Sequence, residues 1–230
     1  MSESYSLINK KLVFPKAALF DKIIAKEKIL KKGKATAAVR LIFKNEIDRV
    51  RCLYEMTSAN INLPSSGSVP KILVIRIDAK SSKLSHKTME AIDNAFGIPL
   101  VFEIHNKKRL RYIACYRRRS DNDKTKWVFS DYFESGWINE DAPTVAMPIS
   151  LNLKSLYHQL IRNLIPKSDN RDISLPELVK NSEKVRRLER ETVRLQGRIK
   201  REKQFNRKVE LNRVLNELKS EIVMANKYFD

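Results

Sequence analysis

The stretch ILVIRIDAK, from Ile72 to Lys80, shows the strongest β-strand pattern in this chain of 230 residues. Branched aliphatic residues dominate it, and such side chains are enriched in strands. Successive side chains of a strand point to opposite faces of the sheet. One face therefore has Leu73, Ile75, Ile77 and Ala79, and the other has Ile72, Val74, Arg76, Asp78 and Lys80. The segment predicts a central strand with one apolar face and one face that carries charge.

Helices and further strands are predicted on both sides of this segment. Ser85 is placed to cap a helix that Gly97 ends, since serine favours helix starts and glycine the position after the last turn. Strand patterns occur at residues 48–56, 100–105, 109–119 and 127–129, and helical patterns at residues 15–30, 35–47 and 152–165. The sequence predicts an α+β body over residues 1–166. Its sheet is expected to be mainly antiparallel, with four to five strands and flanking helices.

Residues 174–230 read as a helical tail that follows a short polar linker, residues 167–173. Ser174 and Glu177 match a capping box, in which two side chains satisfy backbone N–H groups at a helix start. Apolar residues then recur at the spacing of a coiled-coil seam. The seam predicts a partner interface made by Leu178, Val185, Leu188, Leu195 and Ile199.

The seam lapses at KREKQFNRK, residues 200–208, and resumes out of phase at Leu211. A shift within one continuous coiled-coil helix explains this pattern. A reversal near residues 204–206, which folds the tail into an antiparallel hairpin, also explains it. The lack of glycine and proline there slightly favours the continuous helix. A continuous helix needs a partner for its seam, whereas a hairpin satisfies its own.

The composition is that of a basic protein. Lysine and arginine number 46 against 27 aspartates and glutamates, which gives a net charge of +19, and each third of the chain is net positive. Such a field attracts nucleic acid, although a solvated surface explains dispersed charge as well. No apolar run is long enough for a membrane span. With only Cys52 and Cys115, no disulfide framework is implied, and a cytoplasmic location is expected.

Motifs for nucleotide, metal or cofactor chemistry are not found. The five glycines are isolated, so neither of the glycine-rich phosphate-binding patterns occurs. His86, His105 and His158 are far apart in the sequence, and neither cysteine has a second cysteine nearby. We therefore expect no cofactor and no bound metal.

One enzyme class is an alternative. Asp78 and Lys80 form a D-x-K at the end of the predicted central strand, and Glu103 and His105 share a face of a neighbouring strand. This arrangement resembles the metal-dependent nuclease core of the PD-(D/E)xK type, in which carboxylates hold Mg²⁺ and a lysine polarises the attacking water. The order departs from that core, because Glu103 follows the D-x-K strand instead of preceding it. A solvated face with ion pairs around Asp78 is the simpler interpretation.

A basic hairpin is predicted around the turn at residues 106–108, whose second strand reads RLRYIACYRRR. Arginines at strand spacing can follow phosphates, and Tyr112 and Tyr116 on the opposite face can stack on bases. Charged strand ends that block edge pairing, with tyrosines in the core, explain the same residues equally well. The candidate phosphate-binding residues are Lys107, Lys108, Arg109, Arg111, Arg117 and Arg119.

Two segments resemble a prokaryotic family, domain of unknown function 4391. They are RYIACYRRRSDNDKTKWVFSDYFESGWI, residues 111–138, and RIKREKQFNRKVELNRVLNELKSEI, residues 198–222. The resemblance covers most of the chain, and QFNRKVELN, residues 204–212, is its most distinctive part. It implies no catalytic residue, because the family is not assigned an activity. It does imply a genomic context beside DNA methyltransferases and helicases of restriction or anti-phage defence loci.

We therefore expect a non-enzymatic accessory subunit of a DNA-handling system, of the restriction-modification or anti-phage defence type. Its basic face is expected to bind the nucleic-acid backbone. Its tail is expected to bind a methyltransferase or helicase partner, or a second copy of the chain. A pure protein–protein adaptor is the remaining alternative.

Overall fold

The computed structural model describes residues 9–67, 69–120, 122–123, 127–165 and 173–226. The chain divides into two compact units, Met1–Leu164 and Ile165–Asp230. Within the described ranges, no helix has both the length and the apolar character that crossing a membrane requires. The predicted linker at residues 167–173 lies outside the described residues except for Ile173.

The first unit alternates strands and helices much as the sequence predicts. Its strands are β1 Lys11–Val13, β2 Leu19–Ile23, β3 Ile47–Thr57, β4 Lys71–Ala79, β5 Leu100–Asn106, β6 Arg109–Arg119, β7 Trp127–Glu134, β8 Ile138–Asn139 and β9 Thr144–Ala146. Its helices are α1 Lys26–Lys32, α2 Ala37–Glu46, α3 Ser58–Ile61, α4 His86–Phe96 and α5 Leu153–Arg162. Helix α4 is capped as predicted, because the Ser85 hydroxyl accepts the N–H of Lys87 at 3.3 Å and Gly97 ends the helix with φ of 69°.

Seven of these strands form one mixed sheet, in the order β2-β3-β4-β5-β6-β7 with β8 paired to β6. Strand β5 runs parallel to β4. The prediction of a mainly antiparallel sheet with four to five strands is therefore wrong, whereas the α+β class is confirmed. The physical reason is helix α4, which lies between β4 and β5 in the chain. A helical crossover of this kind returns the chain to the same end of the sheet and makes the two strands parallel.

Helices α1, α2 and α4 pack over one face of the sheet and form the main hydrophobic core. Strand β4 contributes Leu73, Ile75 and Ile77 to this core, as its alternation predicts. Phe43 of α2 and Ile92 of α4 are fully buried against the same face. The apolar face of residues 72–80 thus forms part of the sheet side of the hydrophobic core.

Helix α5 covers part of the opposite face. It packs against β4 and β6, and the hydroxyl of Tyr157 donates to the carbonyl oxygen of Cys115 at 2.5 Å. On this face of β4, Val74 is buried, whereas Arg76 and Asp78 nearer the carboxyl end stay partly exposed. The second face therefore changes from apolar to charged along the strand.

A short 3-10 helix, Lys16–Ala18, follows Pro15, but the long helix predicted over residues 15–30 is wrong. Leu19–Ile23 is strand β2, which pairs antiparallel with β3, and α1 begins only at Lys26. Leu19, Phe20 and Ile23 have helical spacing but are exposed, so they form no inward helical face. Pairing with the edge of a strong strand outweighs a local apolar pattern here.

The second unit is a helical hairpin of α6, Leu175–Arg201, and α7, Phe205–Asn226. The capping box forms as predicted, because the backbone N–H and hydroxyl of Ser174 donate to Glu177 Oε2 at 3.3 and 2.7 Å. The chain reverses over Glu202–Gln204, and Lys184 Nζ of α6 lies 2.9 Å from Glu221 Oε1 of α7. The tail is thus the antiparallel hairpin, and not the continuous helix that its lack of glycine and proline favoured.

A substitution at Gly33 tests the packing of α1 on α4. A Cβ at this position would overlap the backbone carbonyl oxygen of Ala91. We expect Gly33→Ala to lower the free energy of unfolding by roughly 1–3 kcal/mol, because backbone atoms must move to relieve the overlap. Gly136→Ala is the matched control, since its Cβ would meet no atom within 4 Å. Urea unfolding followed by circular dichroism measures both variants, and equal stabilities would contradict the packing described.

Candidate functional site

The β5–β6 turn presents three of the predicted phosphate-binding residues at the surface. Lys107 and Lys108 form the turn, where Lys107 adopts a left-handed backbone with φ of 56°. Both lysines and Arg109 are exposed. The guanidinium carbon of Arg109 lies 5.4 Å from the ring centroid of Trp137, a cation–π distance. The turn is thus a small basic patch.

Arg111 and Arg117, further along β6, turn toward the protein. Arg111 Nη1 donates to Glu134 Oε2 at 2.7 Å, and its guanidinium carbon lies 4.7 Å from the centroid of Trp137. The Arg117 side chain is 1% exposed, and its guanidinium carbon lies 4.4 Å from the centroid of Trp127. Arg117 cannot reach a phosphate in this fold, and Arg111 already has an acidic partner. The predicted row of phosphate-binding arginines on one strand face is corrected accordingly.

The other predicted contacts on β6 do not form a base-stacking surface. The backbone of Arg119 belongs to β6, but its side chain lies outside the described residues. Tyr112 is buried, and its hydroxyl accepts the N–H of Leu12 at 3.0 Å. Tyr116 is partly buried and meets the ring of His158 edge-on at 5.6 Å. Both tyrosines pack within the body, as the simpler interpretation of the sequence expected.

A buried carboxylate accounts for the position of Arg117. Asp93 on α4 is fully buried and accepts the hydroxyl of Tyr132 at 2.6 Å and the thiol of Cys115 at 3.6 Å. Its Oδ1 lies 3.9 Å from Arg117 Nη1, which also donates to the carbonyl oxygen of Ile98. Burial raises the pKa of Asp93 to about 6, even though the hydroxyl and the guanidinium oppose that rise. This cluster ties α4 to β6 and β7.

A second charged group lies toward the carboxyl ends of the parallel strands β4 and β5. The register places Arg76 beside Glu103 and Asp78 beside His105. Arg76 Nε donates to Asp78 Oδ1 at 2.9 Å, and His105 Nε2 lies 2.6 Å from Glu103 Oε1. Ligands of sheets with parallel strands commonly bind beyond the carboxyl ends. The structure therefore brings Asp78 and Glu103 onto one face, which the nuclease alternative requires.

The contacts of this group differ from those expected of a nuclease centre. Lys80 Nζ donates to the carbonyl oxygen of Lys44 at 2.8 Å, so it is held near the end of α2. Asp78 and Glu103 already have the partners just described. Among the residues that the structure describes, no three His, Cys, Asp or Glu side chains are grouped to hold a metal ion. The arrangement is that of paired polar side chains on a sheet face, and the nuclease stays a prediction.

The predicted partner interface of the tail is turned inward. Helices α6 and α7 pack against each other, and the buried side chains of α7 are Leu215 and Ala225. Of the predicted interface residues, Ile199 is half-buried and the other four are buried, namely Leu178, Val185, Leu188 and Leu195. The seam is satisfied within the chain, so it is not free to join a second copy or another protein.

One acidic residue holds the turn of the hairpin. The Glu202 carboxylate accepts the backbone N–H groups of Gln204 and Lys203 at 3.0 and 2.8 Å. These two hydrogen bonds lower the pKa of Glu202, and the Arg207 guanidinium, 3.7 Å away, adds to the effect. Glu202 thereby stabilises a reversal that contains neither glycine nor proline.

The residues around this turn carry most of the excess charge of the hairpin. In residues 198–208, here called the hairpin tip, six side chains are basic and one is acidic. In the other described residues of the hairpin, eight are basic and seven are acidic. Arg198, Lys200 and Lys203 have no ion-pair partner among the described residues. All six basic residues of the tip are exposed: Arg198, Lys200, Arg201, Lys203, Arg207 and Lys208.

A family model, Domain of unknown function (DUF4391), matches residues 12–222. The chain belongs to this family. No curated protein and no solved structure matches the chain. The resemblance seen in the sequence is confirmed for the family, and the link to defence loci stays a prediction.

In this DUF4391 protein, the hairpin tip is the basic site that the sequence patterns missed. The interruption of the apolar pattern at residues 200–208 concerns helix geometry and by itself does not indicate a binding site. A count of charge by segment would have found it, because a surplus of five positive charges falls within residues 198–208. The structure alone shows that these residues lie at a reversal of the chain and that all six basic side chains are exposed.

Asp93 gives the stability of the first unit a specific dependence on pH. Because burial raises its pKa from 3.8 to about 6, its contribution is fully present below pH 3.8 and is lost as the pH rises through 6. Asp93→Asn keeps a neutral acceptor for Tyr132 and removes the titration. We expect the stability of the native protein relative to this variant to fall by up to roughly 3 kcal/mol between pH 4 and 7. Urea unfolding at several pH values measures it, and parallel curves would show that Asp93 titrates normally.

Proposed function

We propose that this DUF4391 protein is a non-enzymatic accessory subunit of a DNA-handling system and binds the nucleic-acid backbone through its hairpin tip. One observation carries the proposal: six exposed basic side chains and a single acidic one occupy residues 198–208, while charge on the rest of the hairpin nearly balances. Lysine and arginine neutralise phosphates and release counterions, which gives affinity without reading the base sequence.

The geometry of the tip supports contact with a polyanion. Arg198 and Arg201 end α6, and Arg207 and Lys208 begin α7, so the reversal brings basic side chains from two helices to one end of the hairpin. Their backbone is helical and the turn between them is held by Glu202. The exposed turn at Lys107 and Lys108 adds a smaller basic patch in the first unit.

The proposed system is of the restriction-modification or anti-phage defence type, with a methyltransferase or helicase partner. Support for this part comes from the family resemblance. The pure adaptor alternative relied on the α6 seam, and α7 already packs on that helix. A protein partner is therefore expected to bind elsewhere on the chain.

A metal-dependent nuclease is the second candidate, because the structure brings Asp78 and Glu103 onto one face of neighbouring parallel strands. It predicts that DNA is cut in the presence of Mg²⁺ and that Asp78→Ala abolishes the cutting, since a carboxylate ligand is removed. Gel assays of labelled DNA measure the cleavage. DNA that stays intact with the native partners present would retire this candidate.

Charge reversal at the tip tests the main proposal. We expect Lys200→Glu combined with Lys203→Glu to weaken binding to labelled DNA at least about tenfold at low salt. The slope of log affinity against log salt concentration should fall by about 2, one for each lysine that no longer neutralises a phosphate. Fluorescence anisotropy over a salt series measures both quantities. Neither lysine has an ion-pair partner among the described residues, so the hairpin is expected to fold.

The matched control is Lys180→Glu combined with Lys219→Glu. Both lysines are exposed on the same hairpin, and the change in net charge is identical. Along the helix axes they lie more than about 20 Å from the turn, at 1.5 Å per residue. Equal weakening by the two pairs would mean that the charge acts as a diffuse field and not at the tip. No binding by the unmodified protein at low salt would refute the proposed function.

A further inference from the structure

The hairpin tip carries an exposed aromatic side chain that phosphate binding does not use. Phe205 begins α7 and is 78% exposed. Val209, one turn later and therefore on the same side of the helix, is 53% exposed. Single exposed apolar side chains are ordinary on protein surfaces. Phe205 differs because it lies inside the most basic segment of the hairpin.

The neighbours of Phe205 in the chain are polar or basic. Gln204 and Asn206 flank it directly, and Lys203 and Arg207 follow on either side. All four are exposed. Within the described part of the chain, the side-chain amides of Gln204 and Asn206 have no hydrogen-bond partner. The tip therefore offers an aromatic face, two amide groups and several cations together.

An occupant that fits this surface must be anionic and must offer a flat apolar face. Unpaired nucleotides have both, since each base has a π-face that stacks on aromatic side chains and lies next to a phosphate. Their base edges also supply hydrogen-bond partners for amides. In a duplex, neighbouring base pairs cover the same faces by stacking.

An anionic lipid surface would match the positive charge of the tip, but it fits the other side chains there less well. Membrane-surface helices bury a broad apolar face, and here the exposed apolar groups are Phe205 in the tip and Val209 next to it. Insertion would also strip water from the flanking amides of Gln204 and Asn206 without giving them hydrogen bonds, which costs free energy. The observations therefore favour nucleic acid.

We infer that Phe205 stacks on an unpaired base while the lysines and arginines of the tip hold the flanking phosphates. The protein then prefers single-stranded or locally opened nucleic acid over intact duplex. This inference rests on the proposed function, because it names the class of nucleic acid that the same site binds.

Binding of one oligonucleotide in single-stranded and in duplex form tests the inference with the full-length chain. The unmodified protein is expected to bind the single strand more tightly at a fixed salt concentration. Phe205→Ala should weaken single-strand binding about 5- to 150-fold, the effect of removing one stacked base. Its duplex binding should change less than about twofold, because the lysines and arginines still hold the phosphates.

Phe205→Trp supplies a signal that a purely structural role would not produce. It should retain single-strand affinity, since tryptophan also stacks, and its fluorescence should be quenched when the base stacks on the indole. Trp127 and Trp137 contribute background fluorescence, which is recorded on the unmodified protein.

Phe20→Ala is the matched control. Phe20 is also exposed, and Lys22 Nζ lies 4.4 Å from its ring centroid, but both belong to strand β2 of the first unit. This variant is expected to bind both oligonucleotides as the unmodified protein does. Circular dichroism melting checks that all variants are folded. We expect them to fold, because both phenylalanines are exposed and contribute little to core packing.

The outcomes separate the inference from the proposed function. Equal single-strand affinity of Phe205→Ala and the unmodified protein would overturn the inference. The proposed function would still stand in that case if reversal of Lys200 and Lys203 weakens binding. Absence of binding to either oligonucleotide would overturn both. The inference would also be overturned if Phe205→Ala abolished binding to phosphatidylserine vesicles and left single-strand affinity unchanged. That result would identify the tip as a lipid contact.

Discussion

The parallel pairing of β4 and β5 is the constraint on which the rest of the first unit depends. Helix α4 joins these strands, and its apolar residues must cover the face that holds Ile75 and Ile77. That position of α4 brings Asp93 close to β6 and β7, where it contacts Arg117 and Tyr132. On the opposite face, the same parallel register sets two acid–base pairs side by side. One pairing therefore fixes both the buried Asp93 network and the paired polar side chains on the opposite face.

The net positive charge of this chain does not by itself show where an anion would bind. Arg117 is buried inside the first unit, where a buried carboxylate and an aromatic ring offset part of its lost hydration. Arg111 is matched to Glu134 at the surface. Lys184 is matched to Glu221 between the hairpin helices. Within the hairpin, the positive charge that is not balanced by acidic residues is concentrated at the tip. Burial and pairing, more than sequence position, decide which cations are available to an outside anion.

The sequence predicted the elements whose signals are local. The alternation of residues 72–80, the caps of α4 and the capping box at Ser174 are all confirmed, because each depends on a few neighbouring residues. Three features depended on partners distant in the chain: two were missed, and the reversal of the hairpin was the less favoured of two alternatives. Leu19–Ile23 became a strand because β3 offered an edge, and the reversal after Arg201 was stabilised by packing of α7 on α6. The inward position of Arg117 required Asp93, which no periodic pattern on β6 could reveal.

The turn of the hairpin also has a thermodynamic consequence for any ligand. Many basic segments that bind polyanions are disordered, and their ordering on binding opposes affinity. Here the carboxylate of Glu202 and the two flanking helices already define the path of the backbone, so only side-chain rotamers have freedom left to lose. The same carboxylate is the one negative charge among the cations of the tip. Preorganisation of this surface thus depends on a residue whose charge repels the ligand that the surface would attract.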